Sequence, residues 1–135
     1  MEPLVQMFLA SPRFAVVGAS TNRTKFGNKV LRCYSNNGKE VTPVNPREDT
    51  IEGLKCVASL SSLTNLHGTA VSVVTPPAIT LGVIEEVSRL GLTTPVWLQP
   101  GSENPEVIER ANELGVALIH GGPCVLVQFG CSDDM

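Results

Sequence analysis

Five times along this chain a short apolar run breaks off at a turn built on glycine, asparagine or proline. Arg13-Phe14-Ala15-Val16-Val17 stops at Gly18, Val41-Thr42-Pro43-Val44 at Asn45-Pro46, and Thr69 to Val74 at Thr75-Pro76-Pro77. Pro95-Val96-Trp97-Leu98 stops at Gln99-Pro100-Gly101, and Val116 to Ile119 at His120-Gly121. Their length and β-branching predict buried strands. Pro43 lacks an N–H for a ladder, so its strand is expected at an edge or a bulge.

The sequence between these runs has helical spacing. Phe26, Val30, Leu31 and Tyr34 predict a helix from Phe26 to Asn37 that Gly38 ends. Pro76 and Pro77 open a second helix with a stripe of Ile79, Val83, Val87 and Leu90, closed by Gly91. Asn104 caps a third that begins at Pro105 and turns Val107, Ile108, Ala111 and Leu114 inward. A short amphipathic segment precedes the first strand, and Ser61-Ser62-Leu63 begins a short helical turn. Strands alternating with helices predict an α/β fold: a single Rossmann-like domain over residues 1–135, core about 13–128. Its mostly parallel five-stranded sheet would carry helices on both faces.

Composition narrows the class. At 42% hydrophobic and 17% charged the chain is globular, and with 4% aromatics the core is expected to rest on Val, Leu, Ile and Ala. No apolar run nears the roughly 20 residues of a membrane helix, and the N-terminus lacks the basic start of a secretory signal. A cytoplasmic protein without membrane attachment is expected. Cys33, Cys56, Cys124 and Cys131 form no CxxC and read as structural or bystander thiols rather than a disulfide framework. With only His67 and His120 to help them, no metal site is expected.

The net charge of −3 argues against nucleic acid, yet it is unevenly spread. Residues 1–55 carry eight of the ten basic residues against five acids, whereas residues 56–135 are strongly acidic. A basic half on an acidic protein suits a small polyanion bound at one end.

In a parallel α/β sheet ligands sit beyond the carboxyl ends of the strands, so the loops after each strand are the place to look. The first holds Gly18, Ala19, Ser20, Thr21, Asn22, Arg23 and Lys25. Gly18 permits a sharp turn, the polar side chains and the following helix N-terminus offer donors, and Arg23 and Lys25 add charge, which together make a pyrophosphate cradle. The second holds Asn45, Pro46 and Arg47. An NAD site would place a carboxylate here for the ribose diol; an arginine instead suits a ribose phosphate, as in NADP or coenzyme A. The residues alone leave those two open.

Val16-Val17-Gly18-Ala19-Ser20, Val44-Asn45-Pro46, Val74-Thr75-Pro76-Pro77 and Trp97-Leu98-Gln99-Pro100-Gly101 fall in order at successive strand ends. This set resembles the CoA-binding domain family, whose members include small stand-alone proteins and the N-terminal domain of the succinyl-CoA ligase alpha subunit. The resemblance runs from about Phe14 to Cys124. It implies that Gly18 to Arg23 holds the CoA pyrophosphate and that Asn45-Pro46-Arg47 approaches the adenosine and its 3′-phosphate. It further implies that Thr75, Pro76, Pro77, Leu98, Gln99 and Pro100 line the path of the adenine and the pantetheine arm. Small members often carry an Arg-Cys pair after the fifth strand; here His120-Gly121-Gly122-Pro123-Cys124 keeps the cysteine without the arginine.

No catalytic residue is expected. His67 reads as an exposed turn residue, and local sequence fixes no carboxylate beside His120. Cys124 reads first as a small buried residue, although a mixed disulfide with CoA would be simple chemistry. The favoured function is a module that binds coenzyme A or acyl-CoA without catalysis. The alternatives are an NADP-binding oxidoreductase or redox sensor, and an interaction protein with a vestigial nucleotide site. The sequence names no protein partner.

Overall fold

The computed structural model describes residues 2–122 and 124–131. Pro123, part of the loop singled out above, lies outside them. Arg13–Val17 forms β1, Glu40–Val44 β2, Thr50–Ile51 β3, Leu54–Lys55 β4, Thr69–Val73 β5, Val96–Leu98 β6 and Leu118–Ile119 β7. The helices are α1 (Glu2–Leu9), α2 (Phe26–Asn36), α3 (Pro77–Leu90), α4 (Pro105–Leu114) and α5 (Val125–Gln128), with a 3-10 turn at Leu60–Ser62. All pairings in the main sheet are parallel, in the order β2-β1-β5-β6-β7. The strand order reverses between β1 and β5, which is where an α/β sheet opens a crevice.

Alternation along the strands divides the core into two layers. Phe14 and Val16 face α1, α2 and α5, while Ala15 and Val17 face α3 and α4. The second layer is aliphatic as the composition predicts; the first is not. Phe8, Phe14, Tyr34, Trp97 and Phe129 stack through it at centroid distances of 4.5–6.1 Å. The few aromatics are concentrated rather than absent, and only Phe26 stands apart, 44% exposed.

Pro43 lies in the edge strand β2. Its carbonyl accepts from Val57, so a returning segment covers part of that edge. The α3 stripe differs from the expected one: Thr80, Val83, Ile84 and Val87 are buried and Ile79 is 57% exposed. Ile79 falls in the first turn of α3, where Thr80 is the residue turned inward and its hydroxyl donates back to the Thr75 and Pro76 carbonyls.

The cysteines require a larger correction. Cys33 and Cys131 form a disulfide across 98 positions, leaving Cys56 and Cys124 free. The fold is the cause: after β7 the chain returns across the sheet, and α5 delivers Cys131 to the buried face of α2. No helix is long and apolar enough to cross a membrane among the described residues.

Candidate functional site

A cleft of about 680 Å³ opens over the carboxyl ends of β1, β2 and β5. Its walls are Gly18-Ala19-Ser20, Lys25-Phe26-Gly27, Asn45-Pro46-Arg47 and Val74-Thr75-Pro76. Two asparagines hold these loops in register. Asn45 Nδ2 donates to the Ala19 carbonyl at 2.9 Å, while its Oδ1 accepts from the Arg47 and Glu48 N–H groups at 2.7 and 3.1 Å. The buried Asn28 on α2 donates through Nδ2 to the Ser20 carbonyl at 2.9 Å and to Glu52 Oε2 at 3.1 Å.

Gly18 has φ +93°, and a Cβ there would lie 2.5 Å from the Val74 carbonyl oxygen. A Cβ on Gly27 would collide with the Gly18 carbonyl oxygen. The first turn of α2 therefore sits directly against the turn leaving β1. No side chain caps α2 and no acid occupies its first turn; the Asn28 and Lys29 N–H groups donate to the Lys25 carbonyl, which leaves those of Phe26 and Gly27, both cleft-wall residues, as the donors the turn offers.

Lys25 and Arg47 stand at the cleft without an ion-pair partner among the described residues. Arg23 does not line it. Its Nε lies 3.5 Å from Glu52 Oε2, at the turn between β3 and β4. Ser20 Oγ accepts from the Asn22 N–H at 3.0 Å, leaving its own proton to donate outward. Asn22 Oδ1 accepts from the Thr24 N–H and hydroxyl, an internal brace of the loop.

The structure thus brings Gly18, Ala19, Ser20, Lys25, Asn45, Pro46, Arg47, Thr75 and Pro76 together, and leaves Thr21, Asn22, Arg23 and Pro77 outside the cleft wall. Leu98 is fully buried in the core. Gln99 and Pro100 line a separate, mostly apolar pocket of about 430 Å³ with Phe26, Cys124, Leu126, Val127 and Cys131. Phe26 lines both cavities. Sequence reading missed Phe26, Gly27 and Val74 as wall residues, and Asn28 and Glu52 as supports. The one signal available was Gly27, a glycine at the start of an otherwise regular helix.

His120 does have a carboxylate, supplied by a different loop. Glu103 Oε2 lies 3.1 Å from His120 Nδ1, and the Gly121 N–H donates to both Glu103 oxygens. Burial, with the Glu48 and Asp49 carboxylates nearby, pushes the Cys56 thiol above its ordinary pKa.

A parallel sheet with its cleft at the strand-order reversal, walled by backbone and flanked by two cations, defines a Rossmann-like domain with a positively charged rim. More narrowly, the chain belongs to the family described as CoA binding domain, which residues 12–129 match. It is 34% identical over 110 residues to the uncharacterized protein YneT of Bacillus subtilis, covering 81% of this chain and 79% of that one. It is 28% identical over 100 residues to an ADP-forming acetate–CoA ligase of Methanocaldococcus jannaschii, covering 74% of this chain but spanning only 14% of the ligase. A conserved hypothetical protein from Pyrococcus furiosus superposes with a TM-score of 0.78 at 38% identity, covering 86% of this chain and 97% of its own.

Proposed function

We propose that this protein binds coenzyme A or an acyl-CoA as a stand-alone module, without catalytic machinery of its own and in the cytoplasm. The observation that carries the reading is the pairing of a backbone-walled turn at Gly18-Ala19-Ser20 with two cations, Lys25 and Arg47, that have no ion-pair partner among the described residues, on one cleft. The turn and the α2 N-terminus receive the pyrophosphate, and Lys25 adds its charge there. Arg47, carried by the Asn45-braced loop after β2, takes the ribose 3′-phosphate. The arm then passes Phe26 into the apolar pocket, where its thiol or acyl end meets Gln99 and Leu126.

Isothermal titration of the purified protein with CoA, dephospho-CoA, NADP and NAD tests this. CoA is expected to bind in the low-micromolar range or weaker, no more than about −8 kcal/mol, because the cleft is wide and open to solvent. Dephospho-CoA should bind more weakly. Tighter binding of NADP than of CoA, or no heat at all with millimolar CoA, would overturn the reading.

A further inference from the structure

Two cysteines line the apolar pocket, and one of them is tied to a third behind it. Cys124 and Cys131 line it, and Cys131 is bridged to Cys33. Cys33 is fully buried on α2, whereas Cys131 is partly exposed, so an incoming thiol reaches the bridge from the Cys131 side. Asn37 Nδ2 donates to the Cys33 carbonyl at 2.8 Å and also lies 3.4 Å from Cys131 Sγ and 3.8 Å from Cys33 Sγ, which ties the bridge to the end of α2. Cys124, with Gln99 Nε2 at 3.3 Å from its Sγ, remains a free thiol in the same pocket.

We propose that this pocket is a thiol–disulfide exchange site, in which the terminal thiol of a bound coenzyme A-type ligand attacks Cys131 Sγ. The proposal rests on the CoA-binding reading, because Phe26 lines both the phosphate cleft and the pocket and the same ligand must span both. In the step, the ligand thiolate forms a new S–S bond to Cys131 and the Cys33–Cys131 bond breaks. The electron pair leaves on Cys33 Sγ, and the proton lost by the ligand thiol ends there. A mixed disulfide and a free Cys33 result, with no external oxidant or reductant. Cys33 and Cys131 thereby become a site that reports the thiol state of the bound ligand.

The test uses full-length protein purified without reductant, its bridge verified by non-reducing peptide mapping. It is incubated with CoA or, at equal thiol concentration, with cysteamine, which has the thiol but no nucleotide. Maleimide quenching and mass spectrometry then locate the products. CoA should form an adduct on Cys131, with Cys33 newly open to maleimide, at least about tenfold faster than cysteamine because binding pre-positions its thiol. Arg47→Ala should slow CoA and leave cysteamine unchanged. Calorimetric CoA binding with equal rates for the two thiols, or with an adduct on Cys124 only, overturns the exchange site while sparing the binding reading. Absence of calorimetric binding removes the binding reading, and equal thiol rates in that same protein remove both.

Discussion

Gly18 and Gly27 meet where β1 turns into α2, and neither position has room for a methyl group. The obstacle at Gly18 is the Val74 carbonyl and Thr75 rather than a ligand, so larger residues there damage the fold before they damage binding. Gly18→Ala should lower stability by about 1–3 kcal/mol, more than Gly91→Ala, which has a positive φ but nothing within reach of its Cβ. Urea melts of the two variants compare them; equal losses would mean that the close approach is relieved by movement. The two arginines near this turn should also separate. Arg47→Ala should weaken CoA by about 1.5–3 kcal/mol, the worth of a charge-assisted hydrogen bond, and dephospho-CoA by less. Arg23→Ala should matter little, because Glu52 already engages its guanidinium outside the cleft wall. Calorimetry on both variants checks this, and a larger loss at Arg23 would move the phosphate toward the β3–β4 turn. The sequence could name Arg23 and Arg47 as candidates, but it could not rank them. Glu52, which does so, is 29 residues from Arg23 and on another element.

At the scale of elements, legibility followed length and periodicity. The strands and helices of the main sheet were readable because β-branched runs and caps such as Asn104, which accepts from the Val107 N–H at 2.9 Å, act locally. The β3–β4 hairpin was not readable, since strands of two residues carry no alternation. Its turn places Glu52 at φ +51° and Gly53 at φ +78°, and the left-handed backbone at Glu52 is unfavourable for that residue. The position keeps a carboxylate against Asn28 and Arg23, beside the loop that leaves β1. Glu52→Gln keeps the shape and removes the charge. Freed of that neighbour, Arg23 should raise the positive potential at the cleft, so CoA should bind about two- to fivefold more tightly at low ionic strength, the gain fading as salt is added. Titrations at two salt concentrations decide it; weaker binding at both would show that Glu52 orders the loop more than it opposes the ligand.

For the molecule as a whole, the two layers of the core respond differently to solution conditions. Among the described residues the aliphatic layer under α3 and α4 buries no ionisable side chain, whereas the aromatic layer contains Tyr34 and the Cys33–Cys131 bridge. Neither feature was legible in the sequence: helical spacing put Tyr34 inward, but only the topology sets Ser72 and Cys131 beside its helix. Reducing the bridge should cost about 2–4 kcal/mol, measured as a fall in urea midpoint with dithiothreitol, and an unchanged midpoint would remove its structural role. Tyr34 is fully buried with its hydroxyl 2.5 Å from Ser72 Oγ. Burial pushes its pKa upward, and the hydrogen bond to Ser72 only partly opposes this. Because the folded pKa is raised, the stabilising contribution is complete below the unfolded tyrosine pKa of about 10 and is lost as pH climbs above it. There the unfolded chain releases a proton that the folded chain retains, which removes about 1.4 kcal/mol for each further pH unit. Tyr34→Phe should lose about 1–2 kcal/mol at neutral pH, where Ser72 is left without its partner, yet lose less than wild type between neutral pH and pH 11. Urea denaturation across that range gives both slopes, and parallel slopes would mean that Tyr34 does not govern the alkaline loss of stability.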